Sequence, residues 1–435
     1  MSALSTHSTA ATLPRAAIDA KLISLVKTGA IGIGVFLSGF VIREPAPYEL
    51  YMVGLIAVWA LAGLKISRRI APLLALLVLF NVGGAISMSQ LAELGTIPLY
   101  IAVSLFLALT AVFFAAAVEA EPRLLKVVFT AWVMAAVATA LLGILGYFNA
   151  FPGAELFTRF ERAAGVFEDP NVFGPFLTLP AIGLLYLILT ARPLIASLAV
   201  PLFLIVAGGV FFSFSRGAWG LLAVTAMLLV LAVFLNSRSG LLRLRIGVTA
   251  MLALAGLALA LVLALQIPAV ADLFFERAKL TQDYDSARLG RFARFGIGFL
   301  WATENPLGIG PLRFGKLLGE DTHNIWLKAL LDYSWLGFAA YLTLILWTLT
   351  AGFRILFRQR PWQPYLLCVY IVFVGHVALG TVIDTDHWRH FYLLLGLLWG
   401  MIALEQKHMR AVLLNQDPGA GRKMVGAAGF EPTTP

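Results

Sequence analysis

The stretch PLIASLAVPLFLIVAGGVFFSFSRGAWGLLAVTAMLLVLAVFLN, Pro193 to Asn236, holds two apolar runs joined by a turn that carries one charge, Arg216. Each run is about 20 residues long, enough to cross the hydrocarbon core of a bilayer as a helix. The same pattern recurs along the chain. Of its 435 residues 60% are hydrophobic and 13% charged, against roughly a quarter charged in soluble domains. The runs are continuous rather than alternating, which excludes a β-barrel. The composition predicts an all-α, polytopic helical membrane protein.

Twelve spans are expected, at about 23–42, 48–64, 70–89, 97–118, 125–148, 171–190, 193–212, 217–236, 244–266, 324–353, 364–383 and 388–404. The tenth is too long for one straight crossing, and its first part, HNIWLKALLDYS, is expected to lie partly in the interface. The chain thus divides into an N-terminal tail (1–22), spans one to nine (23–266), a large loop (267–323), spans ten to twelve (324–404) and a C-terminal tail (405–435). That last tail is glycine- and proline-rich and reads as disordered, with no function assigned.

Lysine and arginine in short loops orient such a chain. One set of alternate loops carries Lys65, Arg68, Arg69, Arg192, Arg238, Arg243, Arg245, Arg354, Arg358 and Arg360. This places both tails in the cytoplasm and the loop 267–323 on the outer face. The formal net charge of +9 therefore records cytoplasmic loops, and no nucleic-acid partner is expected. The one cysteine, Cys368, excludes an intrachain disulfide and a cysteine metal cluster. The first span, rather than a cleavable peptide, is expected to serve as the targeting signal.

Arg216 falls on the outer face, against this bias. A charge at the edge of hydrocarbon reads equally as a functional group or as an anchor snorkelling to headgroups. Upstream, RFERAAGVFEDPNVFG places Arg159 and Arg162 on the same face. Pro170 disfavours helix at Asp169, and Asn171 is suited to cap the span that follows. Arg159 is expected to pair locally with Glu161, Glu168 or Asp169; Arg162 remains open between such a pair and a bound anion. In the large loop Arg288, Arg291 and Arg294 recur every third residue beside Leu289, Phe292, Phe295 and Phe299, an amphipathic helix expected on the outer leaflet. NPLGIGPLRFG lacks the Gly-Lys-Ser/Thr ending of a phosphate loop and reads as a hinge. His323 and Asn324 stand where the chain re-enters the bilayer, with Asp321 or Thr322 as the expected cap. IDTDHWRH, with Asp384, Asp386, His387 and His390, has no recognised metal-ligand spacing and reads as a solvated loop.

SFSRGAW (213–219), AGVFEDPNVFG (164–174) and SARLGRFARF…NPLGIG…THNIWLKALLDYSWLG (286–337) resemble, in order, the motifs of the O-antigen ligase and polymerase superfamily. The resemblance implies a GT-C-like membrane glycosyltransferase in a bacterial inner membrane, with a periplasmic site. It would take a glycan from a polyprenyl (undecaprenyl) diphosphate carrier and deliver it to a sugar hydroxyl, on lipid A–core in ligases or on another carrier-linked repeat in polymerases. By position, Arg216 corresponds to the signature arginine and His323 to the motif histidine. The loop arginine falls on Arg288 or Arg291. Arg162, Asn171, Ser215, Gly217 and Asn324 complete the expected substrate-binding set. The chain departs from the pattern at Ser334, where the family more often has glycine.

Guanidinium groups suit a leaving diphosphate because they are permanently charged and bind phosphate in a fork. An imidazole suits removal of the acceptor proton. One base acting in a direct displacement predicts inversion at the anomeric carbon, with no cofactor. No metal is expected, the 384–386 loop being the one reservation. A transporter of lipid-linked glycan and a non-catalytic scaffold are the competing classes. Charges in transporters gather near mid-membrane, whereas here they gather at one face.

Overall fold

The computed structural model describes residues 15–278 and 290–416. The helices are α1 (Arg15–Leu37), α2 (Pro47–Leu61), α3 (Ala71–Met88), α4 (Ile97–Ala120), α5 (Leu124–Tyr147), α6 (Pro170–Phe176), α7 (Thr178–Thr190), α8 (Pro193–Phe212), α9 (Arg216–Asn236), α10 (Gly240–Ala264), α11 (Pro268–Ala278), α12 (Arg291–Glu304), α13 (Arg313–Leu318), α14 (Ile325–Asp332), α15 (Ser334–Ile355), α16 (Gln363–Leu379) and α17 (Arg389–Gln416). The protein is all-α and polytopic. Eight helical stretches, α3, α4, α5, α6–α7 together, α8, α9, α10 and α15, are long and apolar enough to cross a membrane; α2 and α16 are apolar but shorter. Helix is the form such stretches take, because lipid offers no partner for backbone N–H and C=O groups.

Small residues set the packing, as close approach of backbones requires in a membrane bundle. A Cβ at Gly396 of α17 would fall 2.5 Å from the Ala111 carbonyl of α4, and one at Gly400 would fall 2.7 Å from Val118 Cβ, so these two helices run parallel. Conversely, Gly217 of α9 lies against Leu379 of α16 while Gly375 lies against Leu221 and Thr225, so that pair is antiparallel.

Two ends result. One holds the basic turns: Arg69 pairs with Glu119 at 3.2 Å, and Arg358 and Arg360 pair with Glu405 at 3.0 and 2.9 Å. The other end holds every candidate residue among those described. There the chain after α1 meets the loop before α6 through Val41 N–H donating to the Val166 carbonyl.

At four points the structure adds to or corrects the local expectations. The expected tenth span breaks into α14 and α15 at Ser334, whose φ of 62° lies in the left-handed region. Glycine adopts that conformation without a Cβ clash, so the departure from the family pattern falls on a strained position. The last helix continues to Gln416, beyond the expected end at 404; the rest of the tail lies outside the described residues. Asp384, Thr385, Asp386, His387 and His390 do not form a solvated loop: Thr385, Asp386 and His390 are buried. Finally, the 149–170 segment contains a short hairpin, Thr158–Arg159 paired with Arg162–Ala163, turned through Phe160 and Glu161 at φ 53° and 58°. Two positive φ values are the signature of a type I′ turn. Neither residue is glycine, which hid it from the sequence.

Candidate active site

The first half of the site is built on the turn between α8 and α9. Ser215 caps α9, its hydroxyl accepting from Ala218 N–H at 3.4 Å. Arg216 is the first residue of the helix and half-buried. A cation there stands at the positive end of the helix dipole, a placement that favours an anion nearby. The hairpin turns Arg162 inward: its Nε donates to the Ser213 carbonyl at 2.6 Å and its NH2 to Asn171 Oδ1 at 2.9 Å. Arg162 is thereby a buried strut that fixes the Arg216 turn. Asn171 is not the cap of its helix. Asp169 takes that place, accepting from Asn171 N–H at 2.8 Å, which leaves the Asn171 side chain for Arg162. Arg159 pairs locally, but with the carbonyls of Leu156 and Thr158 rather than a carboxylate.

Gly217 and Ala218 are small for packing reasons. A Cβ at Gly217 would fall 2.8 Å from Leu379 Cδ1, and Ala218 is fully buried beside Gly174, where a Cβ would fall 2.4 Å from the Ala218 methyl. Phe214, at φ 45°, is buried among Tyr147, Phe211, Phe212 and Trp219, with Val270 and Leu273 of α11 beneath it.

The second half is built where α14 begins. Asn324, not Asp321 or Thr322, caps that helix: Oδ1 accepts from Trp326 and Leu327 N–H at 3.0 and 3.2 Å. Its Nδ2 donates to the Thr381 carbonyl at 3.0 Å, and its N–H to Asp384 Oδ1 at 2.9 Å. Thr322 Oγ1 reaches the same oxygen at 3.4 Å. His323, between them, is held at φ 48° with its side chain about a third exposed and Nδ1 4.0 Å from Asp384 Oδ2. Non-glycine residues in such conformations cluster at functional sites. Beneath lies a buried polar layer. Lys328 pairs with Asp321 and, at 2.9 Å, with Asp332. Asp386 accepts from Tyr100 at 2.5 Å and Tyr333 at 3.1 Å and contacts His387 at 3.0 Å.

Burial lowers the His323 imidazole below its ordinary 6.5, helped by the guanidinium charges of Arg291 and Arg294 and opposed by Glu320 and Asp321. Arg294 is buried and ion-paired with Glu320 at 2.5 Å, and Arg291 opens α12 within electrostatic reach of His323. Of the two candidate loop arginines, Arg288 lies outside the described residues. Burial also pushes the Asp384 carboxyl up to about 7, with Asp321, Asp386 and Asp332 adding to it and Lys328 opposing. Burial acts in the same sense on Asp386, but His387 and Lys328 outweigh it and hold that carboxyl well below the usual range.

The two halves share a support. Gly217 rests on Leu379, and Ile325 N–H donates to the carbonyl of the next residue, Gly380, at 2.9 Å. The segment 379–384 thus lies between the start of α9 and the start of α14. Sequence reading missed Asp384 as a member of the site, since sixty positions separate it from Asn324. Its only signal was the Asp-x-Asp within IDTDHWRH. One oxygen of each carboxylate, Asp384 Oδ1 and Asp386 Oδ2, is engaged by donors of the protein itself. Among the described residues, no three His, Cys, Asp or Glu side chains are grouped to hold a metal ion.

Residues 201–342 match the family model described as O-antigen ligase. Over that segment the chain is similar to the O-antigen ligase family. No curated protein matches it. The matched O-antigen ligase segment includes Arg216, Arg291, His323 and Asn324, while Arg162, Asn171 and Asp384 lie outside it. Residues beyond the family segment therefore complete the surroundings of those within it.

Proposed function

We propose that this O-antigen ligase-like protein transfers a glycan from a polyprenyl diphosphate carrier to a sugar hydroxyl, at a site facing the periplasm from the bacterial inner membrane. The observation that carries this reading is the shared support of Arg216 and His323 by residues 379–384. In this reading the loop 267–323 is periplasmic and both tails are cytoplasmic.

The acceptor oxygen attacks the anomeric carbon as His323 takes its proton. With Nδ1 turned to Asp384, Nε2 is the acceptor atom. The bond from the anomeric carbon to the diphosphate oxygen breaks, and the electron pair leaves with the carrier. Arg216, with the N-terminus of α9 and Arg291, meets the charge that grows on that oxygen. A single displacement inverts the anomeric centre. Guanidinium groups supply the countercharge, so the reaction proceeds in a chelator.

The test is the purified full chain in liposomes with a polyprenyl-diphosphate-linked glycan and an acceptor, read by formation of a new glycosidic bond. Arg216→Ala and His323→Ala should each abolish transfer at normal protein levels. Transfer that survives both refutes the assignment, and movement of the lipid-linked glycan without bond formation establishes a transporter instead. In cells, loss of the protein that leaves free lipid core with accumulated polymer marks a ligase; single repeats on core mark a polymerase.

A further inference from the structure

We propose that the opposite, basic end of the bundle carries a binding site for one anionic phospholipid, its phosphate between Lys27 and Lys65 and an acyl chain in the groove between α1, α2 and α4. The groove measures about 620 Å³ and is walled by residues such as Val26, Leu55, Val58 and Ala116; Lys27 and Lys65 are its only charged lining residues. It continues an apolar outer surface of α1, where Leu22, Ile23, Leu25 and Val26 are all more than half exposed. In a membrane-spanning bundle that surface meets acyl chains.

Among the described residues, Lys27 makes one charged contact, its ammonium 5.9 Å from the centre of the Trp59 ring, and neither lysine has a carboxylate within ion-pair distance. At the same end Arg69 pairs with Glu119, and Arg358 and Arg360 with Glu405, so those carboxylates are already engaged. A charge beside hydrocarbon is costly without an anion, and an aromatic face offsets only a small part of that cost. The missing anion must reach a groove that opens sideways to lipid and must carry an apolar tail to fill it. A zwitterionic headgroup brings its own cation to the phosphate, whereas an anionic phospholipid leaves the phosphate charge for the two lysines. This inference does not depend on the glycosyl-transfer reading.

The test is native mass spectrometry of the purified full chain titrated with phosphatidylglycerol, phosphatidylcholine or inorganic phosphate. One phosphatidylglycerol should remain bound where phosphatidylcholine dissociates. Lys27→Met/Lys65→Met, which keeps the apolar stems, should weaken it roughly tenfold or more. Lys65→Met alone, placed in a loop, should weaken it several-fold even if the double variant fails to fold, and Lys27→Arg/Lys65→Arg should retain it. Equal retention of phosphatidylcholine, unchanged phosphatidylglycerol binding in the Lys65→Met and double Met variants, loss in the arginine pair, or displacement of the lipid by inorganic phosphate would each overturn the proposal.

Discussion

The backbone N–H of Asn324 donates to the carboxylate of Asp384 at 2.9 Å, and that bond ties the turn carrying His323 to a loop sixty residues further on. Its strength depends on the protonation of one buried acid. Asp384→Ala removes the acceptor for both Asn324 and Thr322 and frees a left-handed turn; transfer should fall by one to two orders of magnitude, since about 1 Å of misplacement costs about a hundredfold. Asp384→Asn keeps an oxygen for Asn324 but not an ionisable group facing His323, and should fall less. Parallel rate measurements check this order, and equal rates in both variants would remove Asp384 from the site.

The same acid sets a pH dependence of stability. Its carboxyl is raised from 3.8 to about 7 in the folded protein, so the folded state holds the proton more tightly than the unfolded one. That contribution is complete below about 4, shrinks as pH rises through the interval, and is gone above about 7. Thermal unfolding of the wild type should therefore lose ground to Asp384→Asn between pH 4 and 7. The two curves running parallel across that window would contradict the assignment.

His323 predicts the acidic limb of activity. Its imidazole lies below 6.5, so the neutral base persists at neutral pH and transfer should decline only under more acidic conditions. Arg291→Gln removes a nearby positive charge, raises the imidazole and should move that limb to higher pH. The pH profile of the rate at saturating substrate is the measurement.

Arg162 bonds to the Ser213 carbonyl at 2.6 Å and to Asn171 at 2.9 Å. Arg162→Ala leaves both acceptors without their donor in a buried setting and should cost about 2–4 kcal/mol, along with most transfer activity. Arg162→Lys cannot span both acceptors and should recover only part of the stability, as scanning calorimetry in detergent would show.

Ser334 offers a stabilising change. It is buried at φ 62° and its hydroxyl has no hydrogen-bond partner among the described residues. A left-handed conformation costs a side-chain-bearing residue about 1–2 kcal/mol, whereas glycine's added freedom in the unfolded chain offsets roughly half of that. Ser334→Gly should raise the melting temperature by a few degrees with transfer unchanged; a lower melting temperature would refute the strain.

The fold class was legible because membrane insertion is a local property. A run of apolar residues long enough to cross lipid specifies a helix without reference to the rest of the chain, as 193–212 and 216–236 show. Arg216 stood out for a related reason, since it breaks an apolar pattern; His323 stood out by its place where a span begins and by its motif. The hairpin at 158–163 did not, because its turn uses Phe160 and Glu161 where glycine or asparagine would have announced it.

By itself, then, the sequence determined which segments become helices, which end carries the basic turns, and which short motifs resemble those of a known family. Only the tertiary structure decided that Arg162 props the Arg216 turn, that Asn171 serves Arg162 rather than its own helix, and that Asp384 joins His323. Those relations join residues brought together only when helices pack, and packing is fixed by side-chain volume and close contacts such as Gly217 on Leu379. No spacing along the chain encodes them.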